Sequence, residues 1–420
     1  MKIKNKKWYR LDNGAKIFPP NVTKRDSKVF RFSCELYEPV DNIILQNALN
    51  KTLDDYPLFL SCLKRGLFWY YLETSSVKPI VTKEDCVTCD IMDKKLLFKV
   101  TYYKKRVNLE VHHVLTDGTG TLEFLKDLIS NYLVEKHNIS SKILMDDASI
   151  SEKEIDSFEK YYDRSKRIKF SRSTKAYNLK GEMYPENRLK IIEGITSTTE
   201  IVKLAKKYNT TVTVYLVSIL IKSIGNTMSL KDKKKSIVIT VPVNLRKYFQ
   251  SSTIRNFFNV ISVEYRFKNN NGSLEKIIRS IDKQFKKKLN AENLAKQMNS
   301  FALLENILFI RIVPVFIKDV VLKCFHFCSR KEQTISLSNV GIVEMPKELQ
   351  KYIRLFSVFT GTDSTRICIC SYLDNIVLSF TSHFINSEIE KNFFRELSKN
   401  DIDIQINTNI VEDDDYEEVL

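Results

Sequence analysis

Apolar residues alternate with polar ones over 29–37, 96–103 and 107–113, the two-residue period of a strand with one face buried. Between the first two, residues 41–56 carry Ile44, Leu45, Ala48 and Leu53 at helical spacing, and Leu67-Phe-Trp-Tyr-Tyr-Leu72 is rich in strand formers. Lys104-Lys-Arg106 supplies a polar turn. Residues 119–133 predict a helix through Leu122, Phe124, Leu125, Leu128, Ile129 and Leu133. Periodicity then stops, and 138–188 reads as a polar crossover linker. Beyond it, helices at 198–207, 212–224, 273–289 and 387–398 interleave with strands at 236–243, 259–267, 334–337, 366–372 and 376–381. Strands and helices alternate on both sides of the linker, so the pattern predicts an α/β (α+β) protein of two lobes, 1–137 and 189–410, with an acidic tail at 411–420. No fixed-period repeat is visible.

Composition narrows this picture. At 420 residues, with 43% hydrophobic and 11% aromatic, the chain has material for a sizeable core and is no disordered or low-complexity protein. Its net charge of +16 favours anionic partners such as a phosphorylated cofactor, an acidic protein, a membrane surface or nucleic acid. Nucleic acid has only the charge in its favour, since the basic run at 164–180 lacks the interleaved aromatic platform expected for single strands. That run, with Arg164, Lys166, Arg167 and Lys169, reads either as a solvated face or as an anion-binding segment.

The N-terminus has basic residues but no apolar core of a signal peptide, and eight cysteines in such a chain suggest reduced thiols in a cytoplasm. The most apolar stretch, 303–327, is broken by Glu305, Arg311, Pro314, Lys318, Asp319 and Lys323. It reads as a buried or interfacial helix, which limits any membrane contact to the interface. Cys86 and Cys89, with Cys324, Cys328 and His326, could be assembled into a zinc set. Spacing four on a helix instead suggests that Cys324 and Cys328 are core residues.

The informative segment is 107–118, where His112 and His113 are followed by Asp117-Gly118. His113 shares strand parity with Val107, Leu109 and Val111 and should face the interior, beside a turn made by Asp117-Gly118. A neutral imidazole there can take a proton from an alcohol, amine or thiol. A lone histidine at such a place is more often a satisfied core residue. Two rare residues at fixed spacing from Asp-Gly shift the balance to function.

This segment resembles the HHxxxDG signature of acyltransferases with the chloramphenicol acetyltransferase-like fold, a superfamily of alcohol acetyltransferases, plant-type acyl-CoA transferases and peptide-synthetase condensation domains. Val241-Pro-Val-Asn-Leu-Arg246 is similar to the strand whose arginine pairs with the motif aspartate. Asn256-Phe-Phe-Asn259 and Ser336-Leu-Ser-Asn-Val-Gly341 are similar to later segments of these families. The resemblance spans about 28–400 and is nearest to the alcohol acetyltransferase-like branch. It lacks a DFGWG stretch, Phe359-Thr-Gly-Thr-Asp363 being a poor substitute. Tyr56-Pro-Leu-Phe-Leu-Ser61 has no early arginine of the condensation type.

The resemblance implies a CoA-dependent O- or N-acyltransferase that moves an acyl group, acetyl first among them, from a CoA thioester to a small alcohol or amine. His112 and His113 belong to the motif, with His113 as general base. Asp117 pairs with Arg246 to fix the loop, and Gly118 leaves room for substrate. Ser338 and Asn339 are candidate channel donors to the oxyanion. Arg164, Lys166, Arg167 and Lys169 are candidates for the phosphates of acyl-CoA. No bound cofactor or metal is implied. Two rivals stand beside this reading: a condensing enzyme served in trans by an acidic carrier protein, and a non-catalytic protein of the same fold. A serine hydrolase lacks its G-x-S-x-G elbow.

Overall fold

The computed structural model describes residues 7–85, 87–141, 149–163, 175–185, 188–267, 272–306 and 311–410, with side chains left aside at 301–306. In the first half, β1 (Trp8–Arg10), β2 (Val29–Leu36), α1 (Asn42–Asp55), β3 (Ser61–Arg65), β4 (Tyr70–Thr74), β5 (Thr82–Lys83), β6 (Phe98–Tyr103), β7 (Arg106–His112) and α2 (Gly118–His137) follow in order. The second half runs β8 (Lys190–Ser197), α3 (Thr198–Lys207), α4 (Val212–Thr227), β9 (Ile237–Asn244) and β10 (Phe258–Tyr265). It continues with α5 (Leu274–Lys288), α6 (Ala291–Asn306), α7 (Val315–Arg330), β11 (Ile335–Ile342), β12 (Ile353–Thr360), β13 (Arg366–Tyr372), β14 (Asn375–Ser382), α8 (Glu388–Ser398) and β15 (Gln405–Thr408).

Each lobe is built around a sheet, and the architecture is mixed α/β. A five-stranded sheet has the order β12-β2-β7-β6-β5, and a seven-stranded sheet the order β10-β9-β11-β13-β14-β8-β15. The three-stranded β1-β4-β3 sheet is separate. The strand β12 comes from late in the chain yet pairs antiparallel with β2 along the edge of the first sheet, from Ile353↔Leu36 to Thr360↔Phe30. Strand β13 is the wall common to both cores. Its Cys368, Cys370 and Tyr372 lie in the first core, and its Ile367 and Ile369 in the second.

Local chemistry explains the elements that carry the site. Asp41 caps α1 by accepting from the N–H groups of Ile43 (2.9 Å) and Ile44 (3.1 Å). The buried face of α1, Leu45, Ala48, Leu49 and Leu53, joins Phe124, Leu125 and Leu128 of α2 in one core with Phe32, Leu109 and Val111. In β7 both faces are buried. Val107, Leu109 and Val111 meet the core, while Asn108 and Glu110 lie in a polar layer with Ser33, Arg31 and Lys99. A buried carboxylate is tolerated there because Arg31 Nε (2.8 Å) and Lys99 Nζ (2.9 Å) both reach Glu110.

Two expectations are corrected. The stretch 303–327 is not one continuous helix, because the chain leaves helical backbone at Val313 and Pro314 before α7 begins at Val315. Helix α7 is not a core helix, since only Val315 and Lys318 are buried in it. Cys324 and Cys328 are accordingly exposed and do not belong to a core. Cys86 and the tail 411–420 lie outside the described residues, as do Arg164, Lys166, Arg167 and Lys169. Among the described residues no group of three or more His, Cys, Asp and Glu is placed to hold a metal ion. None of their helices is long and apolar enough to cross a membrane.

Candidate active site

Strand β7 ends at His112, and the chain turns before α2 begins. The His113 N–H donates to Lys28 O (2.8 Å) and the Leu115 N–H to His112 O (2.9 Å), closing the turn. His112 is 6% exposed, and its Nδ1 accepts from the Val114 N–H (3.0 Å), so its proton sits on Nε2. Burial, followed by the Lys28 charge, pushes His112 down to about 4. It does not line the cavity described below and serves the turn.

His113 faces a cavity of about 310 Å³, at the small end of ligand-pocket volumes. Its ring stacks on Phe18 (centroids 4.7 Å apart, planes at 17°) and tilts against Phe30 (4.4 Å), with Phe258 at 6.4 Å. Nδ1 is buried without a hydrogen-bond partner among the described residues, so the ring's route to a substrate is Nε2. Burial pushes His113 down to about 3, and Arg366 adds to the shift while Asp117 opposes it. The imidazole is therefore neutral throughout the physiological range.

Asp117 holds the loop and does not touch His113. Its carboxylate caps α2, accepting from the N–H of Thr119 (3.1 Å) and Gly120 (3.0 Å), and takes a further bond from the Phe257 N–H (2.8 Å). Arg246 meets the same carboxylate with both terminal nitrogens, Nη1 to Oδ2 at 2.9 Å and Nη2 to Oδ1 at 3.2 Å. Such a two-pronged pair fixes orientation as well as charge. Arg246 also donates to the carbonyls of Thr253 (2.8 Å), Arg255 (2.5 Å) and Phe257 (3.4 Å), which gathers the loop after β9 around the cap. From that loop, Asn256 Nδ2 donates to His113 O (3.0 Å) and to Asp12 Oδ2 (3.3 Å). The backbone of His113 is thus tied to both lobes.

Gly118 needs no unusual backbone. A Cβ there would lie 3.8 Å from Phe32, in ordinary contact, on the cavity wall. Gly120 is the glycine that packing demands, because a Cβ would come within 2.0 Å of Ile254 O and 2.3 Å of Thr116 Oγ1.

Ser338 and Asn339 line the same cavity, with Ser336. Asn339 is committed elsewhere, its Nδ2 to Thr213 Oγ1 (2.9 Å) and its Oδ1 to the Gly341 N–H (2.9 Å). Gly341 has φ +94°, a conformation that favours glycine, at an irregularity in the β11–β13 pairing. Of the Asn256–Asn259 segment, Phe258 lines the cavity, whereas Asn259 turns to Gln297 (2.9 Å).

Several lining residues escaped the sequence reading. Asp26, Lys28 and Arg366 form a charged group on the cavity wall, which His326 also lines. Lys28 pairs with Asp26 in burial, and Arg366 stands 4.0 Å from the same carboxylate. His326, weighed above as a metal ligand, comes from the inner face of α7, whereas Cys324 and Cys328 are exposed. No local motif marks this group. Only the positive φ of Lys28 (59°) sets it apart, and that is invisible in sequence.

A second, larger cavity of about 970 Å³ lies across the segment 8–21, lined by Trp8, Trp69, Tyr71, Tyr162, Lys16 and Arg311 among others. Leu11, Asn13 and Lys16 line this cavity, and Ile17, Phe18 and Asn21 line that of His113.

Neither a scan against known protein families nor a search of curated proteins by sequence gives a match. Solved structures do match. The polyketide synthase associated protein 5 of Mycobacterium tuberculosis superposes with a TM-score of 0.60 at 12% identity, over 93% of this chain and 96% of that one. The first condensation domain of the calcium-dependent antibiotic synthetase, solved with a substrate analogue, gives 0.64 at 11% identity, over 95% and 99%. F. graminearum TRI101, complexed with coenzyme A and deoxynivalenol, gives 0.64 at 10% identity, over 95% and 99%. The chain has the two-lobed fold of these proteins, the chloramphenicol acetyltransferase-like fold.

Proposed function

We propose that the protein is an acyltransferase that moves an acyl group from a thioester to an alcohol or amine, with His113 as general base. The observation that carries this reading is a neutral, cavity-facing imidazole whose backbone is tied to both lobes while the nearby carboxylate, Asp117, is fully engaged elsewhere. An enzyme of this kind needs a base that is unprotonated at neutral pH and held in place.

The acceptor's O–H or N–H donates to His113 Nε2, and its oxygen or nitrogen attacks the thioester carbonyl. The tetrahedral intermediate carries its charge on the former carbonyl oxygen. Ser338 is the better oxyanion donor, since the Asn339 amide already serves Thr213. As the carbon–sulfur bond breaks, the imidazolium returns the proton to the departing thiolate, leaving an ester or amide and a free thiol. Asp117 and Arg246 hold the loop and take no proton in this scheme.

The donor in this reading is acyl-CoA, acetyl-CoA first among them, because TRI101 is known in complex with coenzyme A and the similar TRI3 is a trichothecene 15-O-acetyltransferase. The larger cavity suits the nucleotide end. Its aromatic faces and the cations Lys16 and Arg10 offer stacking and phosphate contacts. The chain leads from Tyr162 on its wall to Arg164, Lys166, Arg167 and Lys169, the further phosphate candidates. A carrier-bound thioester is the second reading, favoured by the condensation-domain neighbours and by a net charge of +16 that suits an acidic carrier.

Release of free thiol from acetyl-CoA and longer acyl-CoAs, against alcohols and amines, tests the donor class. Acceptor-dependent release together with an acylated product by mass spectrometry supports the CoA enzyme. Transfer only from an acyl-phosphopantetheinyl carrier protein selects the second reading, and transfer from neither sinks both.

A further inference from the structure

Helix α7 presents its polar and apolar sides the wrong way round for a helix packed on a protein. Its inner face carries Lys318, buried and donating to Phe68 O (2.9 Å), Asp319, bonded to Tyr70 Oη (3.0 Å), and the cavity-lining His326. Its outer face carries Phe316, Val320, Val321 and Phe327 at 59, 60, 61 and 59% exposure, together with Ile317 and Phe325. Positions 316, 320, 324 and 327, with 317, 321 and 328, stack along one side of a 16-residue helix roughly 24 Å long.

The patch continues beyond the helix. The Val315 N–H donates to Leu67 O (2.8 Å), so the tip of the β3–β4 hairpin adjoins the helix start. There Leu67 and Ile312 are 69 and 66% exposed. An outward apolar face of this extent needs a covering partner.

We infer that this face is a docking surface for an anionic membrane, on which α7 lies in the plane of the interface. Charge chooses the occupant. Lys318 and Asp319 are both turned inward, which leaves Arg311, Lys323, Lys331 and Arg330, the last paired with Asp363, against Glu332 over residues 311–332. Lys331 sits over the Phe327 ring at 4.1 Å, at the end of the apolar stripe. A helix with bulky apolar residues outward and lysine and arginine at its margins suits the boundary between acyl chains and anionic headgroups. A second copy fits poorly, because two chains of +16 repel. The helix lies on the membrane and does not span it. Since its inner face reaches the cavity through His326, docking brings that cavity beside the lipid. The surface stands independently of the reaction proposed above.

The test is sedimentation of the full chain with vesicles of phosphatidylcholine alone and of phosphatidylcholine with phosphatidylserine, over a range of salt. The expected result is binding to the anionic vesicles that weakens with salt. The triple variant Phe316→Ser, Val320→Ser, Phe327→Ser should bind at least about tenfold more weakly, because three bulky apolar side chains no longer enter the interface. Its circular dichroism should match the parent, because these side chains are exposed. No vesicle binding at low salt, or equal binding by the variant, overturns the inference. So does a concentration-dependent dimer that the variant abolishes, which would assign the face to a second copy.

Discussion

His113 and His112 are neighbours in sequence with opposite duties. His112 spends Nδ1 on the turn, while His113 meets the cavity between Phe18 and Phe30. With His113 held down near 3 by burial and by Arg366, the proposed base has no titration near the ordinary histidine value of about 6.5. Its protonation begins to remove activity only in acid. The kcat/KM profile should therefore show no loss attributable to His113 between pH 8 and about 5. A fall centred at 6 to 7 that persists in an Asp12→Asn variant contradicts this. That control is required because burial pushes Asp12, which holds Asn256 against the His113 turn, up to about 6. Stability follows the same sign. The two histidines stay neutral in the fold while the unfolded chain protonates, so their contribution is lost as pH falls from about 6.5 towards 4.

At the scale of elements, the loop between β7 and α2 stands on the buried Asp117–Arg246 pair and on the close approach of α2 to residue 254. Arg246→Ala leaves a buried carboxylate without its cation and should cost about 3–5 kcal/mol in chemical denaturation. Gly120→Ala forces a Cβ against Ile254 O and should destabilise by about 1–3 kcal/mol or more. Gly118→Ala, whose Cβ meets only Phe32, should unfold at the parental temperature and raise KM by narrowing the cavity. Equal destabilisation by the two glycine variants would contradict this division.

The motif at 112–118 was legible because two adjacent histidines, of five in the chain, stand at fixed spacing from Asp-Gly, whereas Arg246 was reached only through the resemblance of residues 241–246 to a family strand. Strand β8 was not legible. Residues 189–197 receive no element from the sequence pattern, and Gly194 at the strand's centre is required because Phe394 of α8 lies within 2.2 Å of where a Cβ would be. Strand β12 also escaped, being buried on both faces and so lacking the alternation that marks a half-exposed strand. The charged group around Arg366, and His326 with it, was beyond reach for another reason, since these residues come from three separate places in the chain, 26–28, 326 and 366, and meet only in the fold.

The whole molecule is interlocked. β12 completes the first sheet from within the second half of the chain, and β13 contributes to both cores. Residues 1–188 and 189–420 expressed separately should each fail to give a cooperative thermal transition, while the full chain unfolds as one. Independent cooperative unfolding of either piece would show that the shared strands matter less than their pairing suggests. The net charge of +16 acts at this scale as well, and it favours the anionic donor and surface proposed above. The central claim rests on one side chain in the cavity between the lobes. Its most direct test is the rate of acceptor-dependent acyl transfer by His113→Ala beside the parent, with matched circular dichroism and melting. The account predicts a loss of about 100-fold to 10,000-fold, the usual contribution of a general base. A variant that transfers at the parental rate would contradict it.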